Sequence, residues 1–142
     1  MKKFFYSGLF FLIGILFFNT SCKSTVEPEL SLSINIMEFY DDNADSIYDR
    51  ALISVSVLNP SEKDVSFEKY IIECFDEEGS TLFKKTVFDP YPYKLGGLDK
   101  YIWNNIYIKL FYDGKRVKTF KFTLFYLDTN NNYDISAQKN LY

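Results

Sequence analysis

Two stretches of this 142-residue chain set side-chain oxygens at alternate positions. Asp41, Asn43 and Asp45 form the first set, with Asp49 further on; Asp128, Asn130, Asn132 and Asp134 form the second. Calcium takes six to eight hard oxygen ligands, and D-x-[DN]-x-[DN] spacing delivers three of them from one tight loop. Ser46 and Tyr133 replace the glycine that makes the sharp turn in such loops. Leu52 and Lys139 stand where a bidentate Glu would close the shell. The competing reading is an Asx-rich loop, in which Asp and Asn bond their own backbone and tolerate left-handed conformations. Calcium is therefore a candidate ligand of both stretches, and a plain polar loop is the alternative.

Aromatic residues are the other unusual feature: twelve Tyr, fifteen Phe and one Trp. Tyr91, Tyr93, Tyr101, Trp103 and Tyr107 lie along a loop and the strand after it. Tyr and Trp join a flat apolar face to a polar tip, which suits protein contacts and stacking on sugar rings. These five are the candidate binding surface, with ordinary core and strand packing as the alternative.

Much chemistry is excluded by composition. The chain has no histidine, which removes the usual general base near neutral pH, every Ser-His-Asp or Cys-His arrangement and the commonest zinc ligand. Neither a Gly-x-Gly-x-x-Gly nor a Gly-x-x-x-x-Gly-Lys motif occurs, and Gly96-Gly97 reads as backbone freedom within a loop. Paired carboxylates acting on glycosidic bonds remain conceivable, but nineteen scattered acids read more simply as solubility. No catalytic residue is assigned, and the expected class is non-enzymatic.

The N-terminus carries an address. Lys2 and Lys3 precede an uncharged run from Phe4 to Phe18, the basic and apolar regions of an export signal. Rising ~1.5 Å per residue, the run reaches roughly 22 Å as a helix, short of the ~30 Å hydrocarbon core. It ends at Asn19-Thr20-Ser21-Cys22, which resembles the lipobox of bacterial lipoproteins, with Asn19 where an aliphatic residue is usual. The resemblance implies cleavage before Cys22 and a diacylated Cys22 thiol. A secreted protein cut elsewhere and an uncleaved N-terminal anchor are the alternatives. No other cofactor is expected besides the covalent lipid and the candidate calcium.

Residues 22–29, polar and containing Pro28, read as a flexible tether between lipid and domain. With Cys22 acylated, Cys74 is left as a single thiol, best placed as a small buried hydrophobe in its apolar strand. Loss of residues 1–21 removes two of sixteen basic residues and none of the nineteen acidic ones, leaving a net charge of −5. That balance argues against nucleic acid and against electrostatic docking on anionic lipid.

Residues 30–142 read as one domain, and as strands throughout. Leu30–Tyr40 and Ala51–Leu58 alternate apolar and polar residues, with Ile53, Val55 and Val57 on one face and Ser54 and Ser56 on the other. Val65–Asp76 and Thr81–Phe88 form a hairpin around Asp76-Glu77-Glu78-Gly79. A connection over 89–97 contains two prolines. Ile102–Tyr112 and Lys115–Leu127 then flank Asp113-Gly114, a strong type I′ hairpin signal. Strict period two means one wet and one buried face. The expected fold is all-β, a single antiparallel immunoglobulin-like β-sandwich of about six to eight strands after a helical signal peptide. A closed barrel is the runner-up.

Two motifs carry a second resemblance. Ile53 to Val65 is similar to the V-x-V-x-N-x-S-x-x-x-V strand and turn of small bacterial immunoglobulin-like domains, and Ile72 to Gly79 is similar to the F-x-L-Y-D-x-x-G signature of the FxLYD-type sandwich. In the latter only Asp76 and Gly79 match identically. The resemblance implies an immunoglobulin-like sandwich on secreted or lipid-anchored proteins and brings no catalytic residues. The expectation is a lipid-anchored domain of the bacterial envelope, at the outer membrane or cell surface. It would present a sheet face, an edge strand or the Tyr-rich loop to an unidentified envelope protein, with a glycan or calcium as the alternative ligand.

Overall fold

The computed structural model describes residues 29–129 and 131–142; the expected signal, Cys22, most of the tether and Asn130 lie outside them. Six long strands form over the stretches where alternation predicts apolar faces, β1 (Ser31–Tyr40), β2 (Arg50–Leu58), β3 (Val65–Phe75), β4 (Thr81–Phe88), β6 (Lys100–Lys109) and β9 (Thr119–Leu127), and a seventh, β10 (Asn132–Asn140), forms where no strand is predicted. Three two-residue strands complete the set: β5 (Lys94–Leu95), β7 (Phe111–Tyr112) and β8 (Lys115–Arg116).

The strands make two principal antiparallel sheets, β1-β2-β6 and β10-β9-β3-β4, with β5 alongside β3. The chain crosses between sheets from β2 to β3, from β4–β5 to β6, and from β6 to β9. Three strands facing four with these crossings is the open immunoglobulin-like sandwich.

The core lies between the sheets, because each strand turns its apolar alternates the same way. Ile53, Val55 and Val57 of β2 are fully buried, as are Phe67 of β3 and Phe120, Phe122 and Leu124 of β9. On the outer face, Ser54 and Ser56 are also covered. Ser56 Oγ lies 2.8 Å from Ser33 Oγ, and Ser54 donates to Met37 Sδ at 3.5 Å.

Three expectations need correction. Ile102–Tyr112 and Lys115–Leu127 do not pair along their length, because β6 and β9 lie in different sheets. The Asp113-Gly114 turn forms with both φ positive, but it joins only β7 and β8. Leu110, fully buried, marks the bend at which the chain leaves the first sheet. Next, the polar stretch at 128–134 is only partly loop. Asn132 and Asp134 lie on the exposed face of edge strand β10, where Tyr133, Ile135 and Ala137 supply a faint inner alternation. Gly96-Gly97, finally, owes nothing to positive φ. A Cβ on Gly97 would stand 2.4 Å from the Glu62 carbonyl, so close backbone approach requires glycine there.

Free edges are blunted, as they commonly are in proteins that avoid strand addition. β1 bulges at Met37, and β6 bulges at Asn104-Asn105, with Asn105 at φ +61°. β4 and β10 carry Lys85 and Lys139 on their inward alternates, opposite Ile72 and Phe120. This leaves faces and loops as the surfaces open to a partner.

Candidate binding surface

The first acidic loop, 41–49, bonds chiefly to itself. The Asp41 carboxylate accepts the Ser46 amide at 2.8 Å and the Asp45 amide at 3.3 Å, and Asn43 Oδ1 accepts the Asp45 amide at 3.1 Å. Asp45 accepts the Ile47 amide, and Asp49 accepts the Asp42 amide, both at 2.8 Å. Ala44 and Ser46 adopt φ of +59° and +67°, the left-handed conformations of Asx-rich turns. In the second stretch, Asp128 accepts the Asn131 amide at 3.0 Å, while Asn132 and Asp134 belong to β10. Among the described residues, no group of three or more Cys, Asp or Glu side chains is placed to hold a metal ion.

The five aromatic residues divide into two sets. Trp103 is a core residue, with ring centroids 5.7 Å from Phe67, 5.7 Å from Tyr70 and 5.3 Å from Phe122. Tyr101 meets it edge-on at 5.0 Å, and Tyr91 meets Tyr101 edge-on at 5.9 Å, carrying the aromatic run from core to surface. Tyr93 is exposed on the same connection, and its carbonyl accepts the Phe67 amide. Tyr107 lies elsewhere, on the outer face of the three-stranded sheet.

There Tyr107 joins two residues that no linear motif marks. Arg50 pairs in register with Tyr40 across β1–β2, and Leu52 pairs with Tyr107 across β2–β6. The guanidinium of Arg50 thus stands 5.5 Å from the Tyr40 ring centre and 5.8 Å from that of Tyr107. Asp42 grips it with two hydrogen bonds, of 2.6 and 2.5 Å. This contact holds the Asp42 carboxyl below its usual range and the guanidinium above its own. Tyr40 donates its hydroxyl to Glu38 at 2.7 Å, a bond that chiefly pushes the phenol up to about 12. Met37 and Tyr107 remain more than half exposed beside this group. The sequence signal was cross-strand register alone, which cannot be read until the strands are paired.

The opposite end of the sandwich carries an open groove of about 500 Å³, lined by Lys63, Asp64, Ser66, Lys94, Leu127, Asp128 and Thr129. Its walls are the loops after β2, β4 and β9. Buried Asn59 ties two of them together: its amide nitrogen donates to the Lys63 and Gly96 carbonyls at 2.7 and 3.1 Å, and its oxygen accepts from the Ser61 hydroxyl at 2.8 Å and amide at 3.2 Å. Asp64 pairs with Lys94 at 2.5 Å and accepts the Gly97 amide, and both contacts hold its carboxyl low. These are the Asn and Ser of the strand-and-turn motif, and here they build a loop platform.

Cys74 is fully buried, and desolvation pushes its thiol up to about 12. A thiol so placed is protonated and inert near neutrality.

No family model matches the chain, and no curated protein matches it. Among solved structures it is similar to the crystal structure of a protein assigned as ApaA from Bordetella pertussis, at 11% identity and a TM-score of 0.59, covering 78% of this chain and 90% of that one. A second structural-genomics crystal structure aligns at 9% identity and a TM-score of 0.49, over 79% and 85% of the two chains. The first is a likeness of fold.

Proposed function

We propose that the chain is a lipid-anchored, non-enzymatic domain of the bacterial envelope that binds a protein partner through the outer face of its three-stranded sheet. The observation that carries this reading is the group of Tyr40, Arg50 and Tyr107. Tyr and Arg are the residue types enriched among interface hot spots, and here Asp42 and two rings have already fixed the guanidinium. Side-chain ordering is therefore largely complete before any partner arrives, which lowers the entropic cost of association. The basic and apolar N-terminus ending at Cys22 supports the anchor. The absence of histidine from the sequence supports a binding role over catalysis.

The anchor is tested by metabolic labelling with a fatty-acid probe, where label should vanish in Cys22→Ser. The surface is tested by crosslinking in intact cells. A partner captured by the wild type should be lost in Tyr107→Ser and Arg50→Ala and kept in Thr86→Ala, a change on the other sheet. Equal capture by all three variants would refute the assignment.

A further inference from the structure

The described chain begins at Glu29, and β1 starts opposite the end of β2, with Ser31 against Leu58 and Leu58 against Lys100. Residue 29 therefore enters at the end formed by the loops after β2, β4 and β9, where Val65 pairs with Leu95 and Ser66 with Leu127. Only residues 23–28 lie between Cys22 and this end. The seven steps from Cys22 to Glu29, at ~3.5 Å each, reach at most about 25 Å, and on the order of 15 Å for a flexible linker.

That end exposes residues which aqueous solvent does not favour. Leu98 is 66% exposed at the loop tip, with φ of +64°. A leucine in the left-handed region is strained where Gly or Asn would sit freely. Its amide is bonded to the Ser61 carbonyl at 2.9 Å, inside the platform that Asn59 holds, so the tip cannot relax without breaking those bonds. Strain at an exposed apolar side chain is a reason to look for function there. Tyr91 is 78% exposed and Tyr93 63% exposed on the flank of the same end. Tyrosine is the residue type that seats its ring at headgroup level in bilayers. The nearby charges are mixed: Lys63 and Lys100 are offset by Glu62, Asp89 and Asp99, and Lys94 is paired with Asp64. Attraction to anionic lipid is therefore weak, and apolar insertion is the available driving force.

We infer that this loop end docks on the lipid bilayer that holds the anchor, inserting Leu98 with Tyr91 and Tyr93 at the headgroup level. The inference rests on the anchor proposed above, and it sets the orientation of the domain: loops down, the acidic loop 41–49 and the Asp113-Gly114 turn away from the membrane.

The test uses the full chain, produced in bacteria, purified and placed in vesicles of phosphatidylethanolamine and phosphatidylglycerol. A nitroxide is attached at Leu98→Cys in one preparation and at Asp113→Cys in another; buried Cys74 stays unlabelled. Mass of the purified protein reports lipidation separately. Docking predicts that the label at 98 is relaxed by oxygen and shielded from a water-soluble nickel complex, while the label at 113 meets nickel freely, with no change on raising salt. With the label moved to Tyr93→Cys, adding Leu98→Asp should cut the docked-to-free ratio roughly tenfold, the loss expected for one leucine. A lipidated chain whose label at 98 meets nickel as freely as that at 113 overturns docking and leaves the anchor standing. Shielding at 98 from both oxygen and nickel overturns it in favour of a protein contact. An unlipidated chain that stays out of the vesicles overturns anchor and docking together.

Discussion

Replacing Asn59 by alanine should release the loop platform. Its carboxamide makes four hydrogen bonds to Ser61, Lys63 and Gly96 from a fully buried position. Each such bond contributes about 0.5–1.5 kcal/mol net, and a partner left buried and unpaired costs about 1–3 kcal/mol. Lys63 is exposed, so water can replace the lost donor there, whereas Gly96 is partly covered. The sum is about 3 kcal/mol. With a urea m-value of about 1.5 kcal/mol/M for a domain of this size, the unfolding midpoint should fall by about 2 M. The single tryptophan, Trp103, sits among core rings and reports the transition by fluorescence. Asn59→Asp is the sharper control, because it points a carboxylate at two carbonyl oxygens. It should be at least as damaging at neutral pH and should recover partly in acid. A midpoint shift below about 0.5 M for Asn59→Ala, against the roughly 2 M expected, would refute the account of this residue.

Gly97→Ala should destabilise by about 1–3 kcal/mol, since its Cβ meets the Glu62 backbone at 2.4 Å. Gly79→Ala, with open space but φ +81°, should cost only about 1 kcal/mol, and melting curves of the two variants test that order. For Cys74, burial raises the folded-state value from 9.0 to about 12, so the folded state holds its proton more tightly than the unfolded one. The stability from the neutral thiol is present below about pH 9 and is lost as pH climbs towards 12; Cys74→Ala should flatten that part of an alkaline unfolding profile. Asp76 behaves oppositely: the Ser80 amide first, then Lys115 and the Glu78 amide, hold its carboxyl below 3.8. Its contribution is present above that value and is lost as pH falls further, so Asp76→Asn should reduce acid sensitivity while lowering stability at neutral pH.

Period-two alternation made the sandwich legible, because β2 and β9 are central strands and their apolar faces are strict. Where an edge strand needs only half a face, as in β10, the alternation of Tyr133, Ile135 and Ala137 was too weak to outweigh the surrounding Asn and Asp. The Asp113-Gly114 turn was readable because its chemistry is local. That the long strands on either side diverge into different sheets was not, since the crossing depends on Leu110 finding the core. Asp76 and Gly79 matched a motif, and the structure gives both a turn-forming role: Gly79 has φ +81°, and Asp76 caps the turn amides. The Tyr40, Arg50 and Tyr107 group is assembled by pairing across three strands separated in sequence, so no spacing rule along one segment could reveal it.

The termini of the described chain leave from opposite ends of the sandwich: residue 29 beside the loop platform, Tyr142 beyond the far end of β10. A pull between them therefore runs parallel to the strands. It loads the β1–β2 ladder, nine paired positions from Ser31–Leu58 to Tyr40–Arg50, in shear. A ladder sheared along its length must give up its bonds together, whereas one pulled from its side peels them singly. Force applied between residues 29 and 142 would therefore meet this ladder in the direction in which paired strands resist most.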